Sequence, residues 1–176
     1  MTKILFICHG NICRSPMAEF IMKHLVSQAG RSDEFEIASA AVSTEEIGND
    51  IYPPAKRMLT SQNIPFTHHS ARQMTRADYA YYDHIICMDQ SNLRWLNYII
   101  PSDPAHKVSL LKQWLNNKKP NDQINAPYGE ADRMNEVNKE MVNDQMVNIS
   151  DPWYTGDFEK AYNDILQGCQ ALLNQL

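Results

Sequence analysis

Residues 3–7, KILFI, form an unbroken run of apolar and aliphatic side chains after one lysine, and the run stops at Gly10, just ahead of Pro16. A strand covered on both faces reads as a continuous apolar run, so this stretch predicts a buried strand of a parallel sheet. The residues after Pro16 predict a helix. Met17, Phe20, Ile21 and Leu25 recur at helical spacing, Ser15 is placed to cap, Pro16 suits the first turn and Gly30 can close it. Parallel strands need crossover connections, so a start of this kind commits the chain to an α/β architecture.

The remaining pattern agrees. EIASA (36–40) and HIICM (84–88) predict further strands, and VSLL (108–111) a short fourth one. PPAKRMLTSQN (53–63) and DQSNLRWLNYI (89–99) predict helices between and after them. From Phe158 to Leu173 the apolar residues keep the helical period, so the tail is expected to pack on the sheet. The expected fold is a three-layer α/β/α sandwich around a mostly four-stranded, parallel, twisted sheet of flavodoxin-like topology. At 176 residues one domain, 1–176, is the natural reading. An Asn-rich insertion at about 116–148 interrupts it, read as loop over 116–129 and as a weak amphipathic helix over 131–147.

Composition narrows the function classes. A net charge of −5 without a long basic run gives no footprint for nucleic acid. No stretch approaches the roughly 18 apolar residues of a membrane span, and the apolar start is too short for a secretory signal, so the expected compartment is the cytoplasm. Cys8, Cys13, Cys87 and Cys169 are too few and too unevenly spaced for a disulfide framework and read as free or reactive thiols. No CxxC or HxxxH pair occurs, and His68 and His69 are adjacent, so no metal and no cofactor is expected.

Residues 8–15, CHGNICRS, stand where a parallel sheet places its ligands, beyond a strand's carboxyl end and at a helix N-terminus. The backbone N–H groups of Cys8, His9, Gly10, Asn11, Ile12, Cys13, Arg14 and Ser15 would form a nest for a dianion such as phosphate, with the Arg14 fork on its oxygens. Gly10 lets the backbone approach closely. Cys8 would face the same positive field, which favours the thiolate, the nucleophilic form. Attack on phosphorus also needs a proton for the departing oxygen. Asp89 and Asp151 are the candidates: Asp89 reads equally well as a helix cap, and Asp-Pro at 151–152 as a turn. Trp153 and Tyr154, on a polar loop closed by Gly156, would wall a slot for a flat aromatic substrate.

The motifs CHGNICRSP, SAAVS with EIGN after it, ARQM, IICMDQSNL and DPWYTGDFEKAY together resemble the low-molecular-weight protein tyrosine phosphatases, of bacterial type in the length of the acid loop. The resemblance runs from residue 3 to about 112 and resumes over 149–173. It implies a phosphatase-I-like fold, a phosphocysteine on Cys8, Arg14 clamping the phosphoryl oxygens, and Asp151 as general acid and then base. Ser15 would assist the thiolate, and the Asn11 side chain would bond Ser39 and His69. Cys13 would be the second loop cysteine that pairs with the nucleophile under oxidation. The implied substrate is a tyrosine-phosphorylated protein or small aryl phosphate, inorganic phosphate is the product, and the protein would be a monomer or weak dimer. The chain departs from the pattern at His9 and Glu45 on the rim, at Ala38 where an aspartate usually stands, and at Thr155 within the acid loop.

Two rivals share the fold. An arsenate reductase would need relay cysteines on a flexible segment, and Cys87 falls inside a predicted buried strand with no neighbouring thiol. A phospho-carrier module would have no use for Asp151 or the aromatic pair.

Overall fold

The computed structural model of the protein describes residues 1–116 and 147–176. Most of the Asn-rich insertion, including all but Val147 of the helix expected there, lies outside the described residues. The described strands are β1 (Thr2–Cys8), β2 (Phe35–Ala41), β3 (His84–Cys87) and β4 (Val108–Leu110), all parallel in the order β2-β1-β3-β4. The described α-helices are α1 (Arg14–Gln28), α2 (Pro53–Ser61), α3 (Arg76–Tyr81), α4 (Gln90–Leu96), α5 (Pro152–Thr155) and α6 (Phe158–Leu173). No described helix is long and apolar enough to cross a membrane.

Strand alternation distributes the core. Ile4, Phe6 and Cys8 of β1 point into one apolar cluster with Met17 and Ile21 of α1 and Ile165, Cys169 and Leu172 of α6. Leu5 and Ile7 point the other way, into a cluster with Tyr82, Leu96 and Ile100. Residues 4–7 have no exposed surface, as expected for a strand covered on both faces. The two clusters make the three layers.

Local details differ from the sequence reading where tertiary contacts take over. The first half of α1, from Arg14 to Met22, is buried on every side, so the expected stripe widens into a fully enclosed helix. Ser15 does not cap it: the N-cap is Cys13, without a side-chain bond, because the Ser15 hydroxyl is used inside the loop. The helix α3 carries no buried residue and no apolar stripe, and it is set instead by a reciprocal cap between Thr75 and Asp78.

The register places the site. Cys8 lies opposite Ala41 and Ile7 opposite Cys87, so β1, β2 and β3 end at one edge of the sheet. The chain leaves β1 towards β2 on one side and returns as β3 on the other, and the crevice at such a reversal gathers the loops after both strands. Residues 8–15 and Asp89 therefore meet there.

Candidate active site

The loop after β1 is closed by its own side chains. Asn11 takes the left-handed conformation, φ 59°, which asparagine tolerates better than most residues. Its N–H donates to Cys8 Sγ at 3.3 Å, and Ser15 Oγ lies 3.0 Å from the same sulfur. Asn11 Nδ2 donates to Ser15 Oγ at 2.9 Å and to Ser39 Oγ at 2.8 Å, which uses both amide hydrogens. With its oxygen already accepting from Asn11, Ser15 has its one proton left for Cys8 Sγ or, at 3.4 Å, the Ala40 carbonyl. A thiolate can only accept, so a sulfur in that form would take the proton.

Around this triangle a second ring of contacts fixes orientation. Ser39 Oγ donates to Glu19 Oε2 at 2.6 Å, and Arg72 N–H donates to Asn11 Oδ1 at 3.2 Å. His69 Nε2 donates to Asn11 at 2.8 Å, but to its main-chain carbonyl and not to the side chain expected from the resemblance. The Asn11 side chain serves Ser15, Ser39 and the Arg72 amide, while the loop backbone turns the Asn11 carbonyl to the His69 ring.

His69 is itself positioned by Asp50, whose Oδ1 accepts its N–H at 3.1 Å and the Ile51 N–H at 2.7 Å, while Oδ2 pairs with Lys56 at 2.6 Å. The Lys56 bond and these backbone donors hold the Asp50 carboxyl well below the usual carboxylate range. A depressed carboxylate contributes stability that is present above its unfolded-state pKa, about 4, and is lost as pH falls through the folded value. Asp50→Asn is therefore expected to narrow the fall in Tm between about pH 6 and pH 3, read by calorimetry. An unchanged acid limb would remove Asp50 from that account.

Arg14 is 2% exposed and grips three acceptors. Nη1 donates to Asp89 Oδ2 and, at 3.0 Å, to the Ile149 carbonyl, and Nη2 donates to Asp151 Oδ2 at 2.5 Å. Burial by itself would lower its pKa, but the carboxylates of Asp89 and Asp151 more than offset that and hold it above the ordinary value. Asp89 is the helix cap its sequence context allowed, and it has a second role that the sequence reading did not name. Oδ1 caps α4 by accepting Asn92 N–H at 2.7 Å, while Oδ2 orients the guanidinium. Asp151 caps α5 through the Trp153 N–H at 3.1 Å.

Cys8, Gly10, Arg14, Asp151, Trp153 and Tyr154 share a pocket of about 110 Å3 with His9, Ile12, Cys13, Glu45 and Glu46. Trp153 leans on Tyr52, ring centres 5.0 Å apart, and Tyr154 is 83% exposed. His9 contacts Glu45 at 3.3 Å and stands edge-on to Trp95. Cys13 is buried beside Ile12 and Ala71, and burial first, then Cys8 and Asp151, push its thiol pKa far up, so it rests as the thiol. Among the described residues no group of three or more His, Cys, Asp or Glu is placed to hold a metal ion.

The sequence reading did not single out Glu19, Asp50, Arg72 or Tyr52. Glu19 sits in a pattern that also suits a solvated helix face, and only the fold shows it turned to Ser39, whereas Arg72 reaches Asn11 through its main-chain N–H while its guanidinium pairs with Asp78. Tyr52, beside Pro53, carried no signal beyond helix entry.

Comparison with known proteins places this chain in a family. The sequence profile described as low molecular weight phosphotyrosine protein phosphatase matches residues 3–146. The protein of that name from Rattus norvegicus is 38% identical over 179 residues, covering 98% of this chain and 94% of the relative. The crystal structure of a low molecular weight protein tyrosine phosphatase from Streptococcus pyogenes superposes with a TM-score of 0.76 at 32% identity, covering 100% of this chain and 93% of that one. YfkJ from Bacillus subtilis gives a TM-score of 0.78 at 29% identity, with 99% and 93% covered. With its profile match, its curated relative and its sheet in agreement, the chain belongs to the low molecular weight phosphotyrosine protein phosphatase family.

Proposed function

We propose that the protein is a metal-independent phosphotyrosine protein phosphatase that works through a phosphocysteine on Cys8. The observation that carries this reading is the convergence of Cys8, Arg14 and Asp151 on one small pocket at the sheet edge. The phosphoryl group of a tyrosine-phosphorylated protein or small aryl phosphate seats on residues 8–15, and its oxygens compete with Asp151 for the Arg14 Nη2 edge. Asp89 keeps Nη1 aligned while this happens. Displaced from the guanidinium, Asp151 takes up a proton from solvent and turns its carboxylic acid to the tyrosyl oxygen.

Cys8 sulfur then bonds to phosphorus as the P–O bond to tyrosine breaks, and the departing oxygen takes its proton from Asp151. In the second step Asp151 accepts a proton from water, whose oxygen attacks the phosphocysteine. Inorganic phosphate leaves and the thiolate returns. Ser15 stabilises the sulfur in both steps, Asn11, Ser39 and His69 hold the loop's shape, and Trp153 and Tyr154 flank the substrate ring. No cofactor enters. The test is hydrolysis of p-nitrophenyl phosphate in the presence of a chelator, with a burst of p-nitrophenol in the first turnover. Abolition by the chelator would overturn the reading.

Residues 1–176 are read as one domain, acting as a monomer or weak dimer in the cytoplasm; the four buried free cysteines suit a reducing compartment. The same burial disfavours arsenate reduction, since Cys87 in β3 and Cys169 in α6 are fully buried and out of reach as relay thiols.

Cys13 is assigned a redox role. Peroxide oxidises the Cys8 thiolate to the sulfenic acid, and the Cys13 thiol then displaces its oxygen as water, leaving a disulfide that external thiol reduces. Activity lost to peroxide should return with dithiothreitol in the wild type and return only poorly in Cys13→Ala. Equal recovery in both would remove the role.

A further inference from the structure

Beyond Trp153 a second recess opens, a groove of about 600 Å3 between α2 and the acid loop. Tyr52, Arg57, Met58, Pro152, Trp153 and Phe158 form most of its wall, and among the described residues Trp153 is the only one it shares with the catalytic pocket. Trp153 is therefore a partition, braced by Tyr52, and not an end wall.

The two sides of that partition differ in charge. Glu45 and Glu46 line the catalytic pocket, whereas the one charged residue of the groove, among those described, is Arg57, exposed on α2 beside apolar and aromatic neighbours. A guanidinium beside low-dielectric walls attracts a carboxylate more strongly than one in open water. An extended chain advances about 3.3 Å per residue, so about two or three residues cross an indole ring.

Resting on the phosphatase reading, we propose that this groove is a second subsite for the substrate chain, taking an acidic residue about two or three positions from the phosphotyrosine. The side-chain stem lies over Met58 and Trp153, and the carboxylate pairs with Arg57. The acidic rim of the catalytic pocket repels such a residue on its own side, which gives the bound peptide a direction. A small aryl phosphate ends before the groove and reads none of this.

The experiment compares phosphotyrosine peptides that carry glutamate or lysine two or three residues to either side of the phosphotyrosine. On one side, the wild type should show a kcat/KM about three- to tenfold higher for glutamate, shrinking at high salt. Arg57→Glu should reverse that preference, and Arg57→Lys should retain most of it. Equal values for the glutamate and lysine peptides in the wild type, or an unreversed preference in Arg57→Glu, overturns the subsite. Failure of the wild type on p-nitrophenyl phosphate would strike the phosphatase reading instead, while normal turnover of that substrate without a peptide preference strikes the subsite alone.

Discussion

Cys8→Ser is expected to fold, to bind inorganic phosphate, and to hydrolyse p-nitrophenyl phosphate at least about 10⁴-fold more slowly than the wild type. The fold expectation rests on size and contacts. Serine fits where Cys8 sits, 3% exposed at the end of β1, and its oxygen can keep the bonds to Ser15 and the Asn11 amide. The loss of activity comes from ionisation. The hydroxyl and the N–H that contact the sulfur both stabilise an anion, and neither is a base able to create one from a serine hydroxyl. A thiol ionises far more readily than an alcohol, so the environment that suffices for sulfur fails for oxygen. Steady-state and burst kinetics with phosphate affinity in parallel give the measurement; near-normal turnover in Cys8→Ser would end the phosphocysteine mechanism.

Asp151→Asn should lower kcat for phosphotyrosine by about 10²- to 10³-fold, the usual contribution of a general acid. The loss on p-nitrophenyl phosphate should be smaller, because nitrophenolate is a stable leaving group that needs less protonation. The same substitution removes one of the two carboxylates on Arg14 and leaves Asp89 in place. With its competitor for Nη2 neutralised, phosphate should bind at least as tightly as in the wild type, seen as an unchanged or lower inhibition constant. Equal loss on both substrates together with weaker phosphate binding would mean that Asp151 serves to orient Arg14 and donates no proton.

Much of the fold and the site is legible from residues 3–16 alone. KILFI announces a strand enclosed on both faces, and residues 8–15 can hardly lie anywhere but at its carboxyl end. The strands and the long helices carry period and length enough to be read. What escaped has a physical pattern. Helix α5 has four residues and α3 has no buried face, so neither owns an apolar stripe, although the Thr75 and Asp78 spacing is a cap signature. Asp89 stayed ambiguous because one carboxylate has two oxygens and the fold uses one for α4 and the other for Arg14. The capping role expected for Ser15 failed for a related reason, since a hydroxyl near a helix start has one proton and tertiary structure decides where it goes. The bond from His69 to the Asn11 carbonyl depends on where the loop backbone turns that oxygen, which no spacing records.

The Arg14 guanidinium ties the first loop of the chain to its last quarter, since Ile149 and Asp151 supply two of its acceptors across 135 and 137 residues. Cys8 and Arg14 therefore leave the ribosome well before the carbonyl and the carboxylate that seat the guanidinium. A nascent chain that has emerged only as far as β4 thus holds Arg14 without two of its three acceptors. Docking of the segment that carries Ile149 and Asp151 is what completes the grip on the guanidinium.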